Sequence, residues 1–492
     1  MTRPAYNNWM RLVVAVVLIG NVAVVLLAVA WWITNLGTRP AYGDSSQYLR
    51  LADTLRVDDF RTLFYPLVLR GLKSSAILCG CRIELLVGLV QTLLALTSFA
   101  YLGRALWDVT AATERFSDLE RVSALRRWAV IGVFAMLVFS QPLVNHFALS
   151  IMTDSLATSF TAAGLASIIR IATLGDTRTR TVAIGCLAIA AAGFMRAEKV
   201  YVLALILVFA LVAVCWMVRS TPTRGSSYML SRHRTLAFLT LLLLIPGIAV
   251  TFINRATQTP GIYGWPPVTI NVRLFVRTVW PNLAELRPSL SQEFRAVVSE
   301  KDAEAFDRDF NQYLRLVPLL QRHAGGTDRL VNEASGMAIQ KYGPEIAIRT
   351  ATDTLRYAIP LVSYPADLAG VGGRGSSHWT HTRMRAARPL LTEVYLWLAT
   401  AVLLTIQIPV ALSLFIGIRG AWSHRVIVAV GLMAGVAIIN AVLYSLGNGV
   451  NNVRYGLPAC VLLFAPIIWG NLVWFASRIG PKNGGSTDIA PA

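Results

Sequence analysis

Five short stretches beside strongly apolar segments carry side chains able to move a proton or grip an anion. "GDSSQYLRLADTL" (43–55) carries Asp44 and Asp53, and "FRTLFYPLVLRGL" (60–72) carries Arg61 and Arg70. "SIMTDSLA" (150–157) carries Asp154, with His146 a little upstream. "FMRAEKVY" (194–201) sets Arg196, Glu198 and Lys199 in one tight turn, and "NNVRYGLP" (451–458) sets Arg454 beside Tyr455. Carboxylates at loop–helix junctions suit general-base work. Isolated arginines suit phosphate, because a planar guanidinium matches its oxygens and never deprotonates.

The elements that must position these residues are membrane helices. Hydrophobic residues make up 55% of the 492-residue chain, charged residues 14%, and the mean hydropathy is +0.56. Windows of about 20 apolar residues recur, each long enough to cross roughly 30 Å of hydrocarbon. The first window is too long, and too soon followed by others, for a cleaved signal peptide. The net charge of +19 does not point to nucleic acid. Its arginines and lysines fall mainly in short loops between spans, where they set topology. The five cysteines (79, 81, 186, 215 and 460) have no zinc-type spacing. Cys79 and Cys81 are placed to oxidise only if they face outward, and otherwise serve as packing residues.

Hydropathy predicts about ten spans, near 10–35, 83–106, 128–141, 153–173, 181–196, 199–218, 235–254, 391–418, 425–447 and 457–477. The expected fold is thus all-α and polytopic. If the spans alternate, Arg3, Arg11, Arg104, Arg126, Arg178, Arg224, Arg419 and Lys482 share one side with both termini, the cytoplasmic side. The opposite face then receives 36–82, the short turns near 142–152, 196–199 and 448–456, and the long polar stretch 255–390. Within that stretch 290–322 and 328–357 have helical periodicity, whereas GGRGSS (372–377) reads as loop. The chain divides into a transmembrane module (1–254), an extracytoplasmic region (255–390), C-terminal spans (391–478) and a disordered tail (479–492). No internal repeat is evident.

Each polar residue also has an ordinary structural reading. Asp44 opens an amphipathic segment, lying on the membrane surface, in which Tyr48, Leu49, Leu51, Ala52 and Leu55 form the apolar face. It could be an N-cap, with Gln47 completing a capping box. Thr153-Asp154 is likewise a reasonable helix start. Arg61 and Arg70 could snorkel, their stems in lipid and their heads in water. Asp53 reads as a solvated helix residue. Arg196, Lys199 and Arg454 could be charges satisfied among neighbouring helix ends, yet they oppose the positive-inside tendency on the face that holds both acids, which favours function. Tyr48, Tyr65 and Tyr455 lie beside these charges as candidate substrate-binding aromatics.

Outer-face acids together with outer-face cations suit transfer of a glycosyl group from a lipid phosphate. One carboxylate takes the proton of an attacking hydroxyl while cations stabilise the departing phosphate. The stretches "GDSSQYLRLADTL", "FYPLVLRGL", "LSIMTDSLATSF", "FMRAEK" and "VRYGLP" resemble, in order and in shared side, the GT-C superfamily of polyprenyl-phosphate-sugar glycosyltransferases. The similarity is to the group that includes protein O-mannosyltransferases and the aminoarabinose transferase of lipid A. It covers mainly 10–254 and the C-terminal motif.

The resemblance implies a catalytic acid at Asp44, a second at Asp154, and donor-phosphate contacts from Arg61, Arg196, Lys199 and Arg454. It implies a bilayer-bound polyprenyl-phosphate sugar donor, a glycan, lipid or protein acceptor, and a multi-pass protein of the cytoplasmic (inner) membrane. Some members of the wider superfamily hold a divalent metal at the two acids, so a metal on Asp44, Asp154 and His146 stays open. The chain departs from the pattern in lacking paired acids in its first loop, and 255–390 matches no part of it. A transporter or flippase of a lipid-linked sugar is the alternative. Transporters commonly show internal repeats and mid-membrane sites. Here the charges lie at one surface.

Overall fold

The computed structural model describes residues 3–38, 43–55, 64–113, 122–196, 198–219, 226–245, 248–249, 267–309, 312–358, 389–409, 423–447 and 457–479. Every element among them is helical. Six helices are long and apolar enough to cross a membrane, at 15–35, 83–111, 153–174, 199–217, 389–407 and 424–445. A bent pair, 124–139 with 142–149, raises the number to seven if it forms one span. Shorter apolar helices cover 179–195 and 457–473. The segment near 235–254 contributes the helix Ser226–Leu242. Side chains such as Ile19 (67% exposed) and Val212 (60%) stand bare on the outside, as lipid-facing residues do. The chain is an all-α, multi-pass membrane protein.

We label the helices α1 (Arg3–Asn35), α2 (Gly43–Thr54), α3 (Phe64–Leu78), α4 (Ile83–Ala111), α5 (Ala124–Phe139), α6 (Pro142–Leu149), α7 (Thr153–Ile169), α8 (Thr179–Met195), α9 (Glu198–Arg219) and α10 (Ser226–Leu242). Segment 142–152, expected as a turn, instead holds α6, all of whose residues are buried. The reason is local. Pro142 cannot extend α5, because it lacks an N–H, and it holds Gln141 extended (φ −68°, ψ 130°). Pro142 then begins a new helix bent 80° from α5. Asn145 donates to the Ala28 carbonyl of α1 at 2.9 Å, which locks α6 inside the bundle.

Helix α7 is the centre of the bundle and is buried nearly throughout. It packs closely on α8, because small residues face each other. A Cβ on Gly164 would lie 3.0 Å from Ile189 Cγ1, and one on Gly185 would lie 3.0 Å from Ser167 Cβ. Beyond the C-terminal end of α7, Arg170 pairs with Asp108 of α4 and with Asp176, and Arg104 pairs with Asp108. Those charges tie three helix ends together and lie at the opposite end of α7 from Asp154.

A separate helical unit follows, with α11 (Pro267–Val279), α12 (Leu283–Leu286), α13 (Gln292–Val297), α14 (Glu300–Arg308), α15 (Tyr313–His323) and α16 (Arg329–Ala358). Helices appear where periodicity predicts them, at 290–322 and 328–357. The unit has its own core, built on Phe275, Leu286, Phe294, Phe306, Leu320 and Val331. Arg349 donates to the Arg277 carbonyl and to the Trp280 carbonyl, so it caps the C-terminal end of α11. Burial, and then the neighbouring Arg277 charge, push Arg349 down to about 10. Arg277 in turn pairs with Asp353 at 2.6 Å, both buried. The last helices are α17 (Pro389–Val402), α18 (His424–Gly447), α19 (Leu457–Leu462) and α20 (Phe464–Ile479).

Candidate functional site

The site grows from an extended stretch between α6 and α7. Ser150 (φ −90°, ψ 140°) and Met152 (φ −145°, ψ 149°) are extended, and both are buried. Buried backbone carbonyls outside helices need partners. Gln91 of α4 donates to the Ser150 carbonyl at 3.0 Å, and Ser45 of α2 donates to the Ile151 carbonyl at 3.1 Å. One turn along α2, the Tyr48 hydroxyl lies 3.4 Å from Thr153 Oγ1. These contacts seat the amphipathic helix on the start of α7, and Asp44, in the first turn of α2, is carried with it.

Asp154 sits in the first turn of α7 and is 6% exposed. Its Oδ1 accepts from Arg196 Nη1, while Oδ2 has no hydrogen-bond partner among the described residues. Arg196 ends α8 in an extended conformation (φ −149°, ψ 114°), which breaks the chain between α8 and α9. Lys199, just inside α9 and 2% exposed, donates to Asn440 Oδ1 at 2.5 Å. The Arg196 guanidinium lies 5.6 Å, and the Lys199 ammonium 5.4 Å, from the centre of the Tyr444 ring. Three segments distant in sequence thus bring two acids and two cations to one end of the helices, and a fourth, on α18, holds the cations.

No family model, no curated protein and no solved structure matches this chain.

The structure refines several sequence expectations. Helix α2 begins at Gly43, so Asp44 lies within the first turn and is not its cap. A carboxylate there still gains from the helix dipole. Helix α7 does begin at Thr153, yet the Asp154 side chain turns to Arg196 and caps nothing. Tyr48 and Tyr65 are both buried and pack edge to face, ring centres 5.0 Å apart, so they bind α2 to α3. Gln91 donates to the Tyr65 hydroxyl at 3.2 Å. Burial above all, then Tyr48, pushes the Tyr65 phenol well above its ordinary value and keeps it neutral. Asp53 pairs with Lys73 on the surface, and Arg70 is exposed. Arg61, Arg454, Tyr455 and GGRGSS (372–377) lie outside the described residues, as does all but the first residue of the 479–492 tail.

His146 is enclosed by the rings of Trp31 and Phe147. Among the described residues no group of three or more His, Cys, Asp and Glu side chains could hold a metal ion. Asp44, Asp154 and His146 therefore do not make a ligand set. All five cysteines are free thiols. Sequence reasoning missed Gln91, Asn440 and Tyr444. Their signal is a polar side chain inside an apolar span, where an amide is costly unless it has a partner.

Proposed function

We propose that the protein is an integral-membrane inverting glycosyltransferase. In this reading it moves a hexosyl or pentosyl group from a polyprenyl-phosphate donor to an envelope lipid, glycan or protein on the extracytoplasmic face. The observation that carries the reading is the meeting of Asp154, Arg196 and Lys199 at the end of α7 on which α2, with Asp44, is seated. The donor's tail lies in the bilayer, and a hydrophilic acceptor approaches from water. About ten spans, both termini cytoplasmic and residence in the cytoplasmic membrane complete the reading.

Asp44 takes the proton of the acceptor hydroxyl as its oxygen bonds to the anomeric carbon. The bond from that carbon to the phosphate oxygen breaks with its electron pair, and polyprenyl phosphate departs. A single displacement inverts the anomeric centre. Arg196, oriented by Asp154, and Lys199 stabilise the charge on the departing phosphate. Arg61 and Arg454 are further donor contacts in this reading, with Tyr455 beside them.

The test is Asp44→Asn, which keeps the size of the side chain and removes the base. Envelope glycolipids and glycans from cells with wild-type protein, with the variant and without either are compared by mass spectrometry. The variant is expected to accumulate normally yet match the cells lacking the protein. Unchanged transfer would remove Asp44 from the chemistry. A product that crosses the membrane without any new glycosidic bond would favour a transporter.

A further inference from the structure

Both cations meet α18, a helix whose sequence reads as an ordinary span. Asn440 and Tyr444 are one turn apart on a single face, and both are buried. Asn440 Oδ1 accepts the Lys199 ammonium at 2.5 Å, and the Tyr444 ring lies 5.4 Å from that ammonium and 5.6 Å from the Arg196 guanidinium. Arg196 has its counter-charge in Asp154, but the Asn440 amide oxygen and the Tyr444 ring face add no negative charge of their own, so what they contribute holds a positive charge without cancelling it. A carboxylate in the same place would cancel it. Two cations fixed on one ring make a fork of charged donors, the arrangement that phosphate oxygens take.

The ring also meets the outer unit. Tyr357, Ala441 and Tyr444 form a small buried cluster, and Thr354 Oγ1 lies 2.7 Å from Ser445 Oγ. The end of α16 therefore rests on the residue that gathers the two cations.

We propose that Asn440 and Tyr444 are positioning residues of a phosphate-binding subsite, in which Lys199 and Arg196 receive the phosphate of a lipid-linked ligand, and that Tyr357 seats the ring from the outer unit. This rests on the donor reading above and adds to it the α18 face and its link to 267–358. The ligand chemistry is a phosphate ester carried on a polyprenyl chain.

Binding of radiolabelled polyprenyl monophosphate to the full-length protein in detergent tests this, with polyprenol as the control lacking phosphate. The wild type is expected to prefer the phosphate, and Tyr444→Phe, which keeps the ring, to bind within about twofold of it. Tyr444→Leu is expected to bind about tenfold more weakly. Asn440→Asp, nearly isosteric, gives Lys199 a carboxylate to compete with the phosphate. It is expected to bind at least as weakly as Tyr444→Leu while unfolding no earlier than wild type, and it decides the matter if Tyr444→Leu does not fold. Tyr357→Leu is expected to lower affinity less than Tyr444→Leu. A wild type that treats phosphate and polyprenol alike would end the donor reading itself. A wild type that prefers phosphate, with folded Asn440→Asp and Tyr444→Leu binding equally well, would overturn the positioning role alone.

Discussion

Removing one member of the Asp154–Arg196 pair should expose how strongly this site is built. The two side chains are 6% and 14% exposed, so water relieves neither. At an effective dielectric of about 20, two charges about 4 Å apart attract by about 4 kcal/mol. Breaking a buried pair by deleting one partner costs about 3–5 kcal/mol, since the other charge stays behind. Asp154→Asn retains an amide oxygen to accept from Arg196, and the Tyr444 ring still faces the guanidinium. The loss should therefore fall near the lower bound, about 3 kcal/mol.

Arg196→Met should cost less than Asp154→Asn. A buried carboxylate left alone can shed its charge by binding a proton, and a guanidinium cannot. The double variant, Asp154→Asn with Arg196→Met, should recover part of the loss, with a coupling of about 2 kcal/mol. Unfolding of the detergent-purified protein, followed by tryptophan fluorescence across denaturant, measures all four members of the cycle. Sugar transfer assayed on the same samples should be lost in every variant, including the stabilised double. Strictly additive stability losses would refute the buried-pair reasoning. Transfer restored along with stability would reduce the pair to a fold element.

Three further outcomes are expected. Gly103→Ala places a methyl 2.6 Å from Phe134 Cδ1 in a fully buried contact between α4 and α5, and should cost about 1–3 kcal/mol in the same unfolding assay. Gln91→Leu leaves the Ser150 carbonyl without its Gln91 donor and removes the bond to Tyr65, for a loss of about 1–3 kcal/mol. Hydrogen exchange should show it as loosening confined first to 64–78, where α3 lies. Ser299→Ala breaks the capping box of α14 and should cost that helix about 1 kcal/mol. The Ser299 hydroxyl above all, with Arg315, holds the Asp302 carboxyl below its ordinary range. That contribution is full above the unfolded carboxyl value, about 3.9, and is lost as pH falls through the lower folded value. Amide protection of 300–308 should therefore drop with acid in the wild type and change less in Ser299→Ala.

Much of the architecture is legible because its causes are local. The apolar windows at 83–106, 153–173, 199–218 and 425–447 each fall on a helix long enough to span. The amphipathic pattern around Tyr48 and Leu51 predicts α2, and the periodicity of 328–357 predicts α16. Segment 142–149 misleads for a physical reason. Eight residues bounded by a proline are too short for periodicity to separate a buried helix from a turn. Asp44 and Asp154 are legible as rare carboxylates at helix starts, whereas the reason α2 docks is not. It docks where Ser45 can donate to the buried Ile151 carbonyl, and that need exists only once α6 and α7 are bent apart and buried.

Hydropathy, span length and the placement of charge are properties of consecutive residues, so the sequence alone determines that this is a helical membrane protein with its rare acids and cations at span ends. Which of those groups touch is settled by how distant helices pack. Arg196 reaches Asp154 because α7 and α8 pack closely side by side along their small residues. Lys199 reaches Asn440 across 241 positions, and the Tyr444 ring one turn further on, because α9 and α18 pack side by side. An amide or a ring inside an apolar span has the same local pattern whether it faces lipid or a buried cation. Only the tertiary fold supplies the cation.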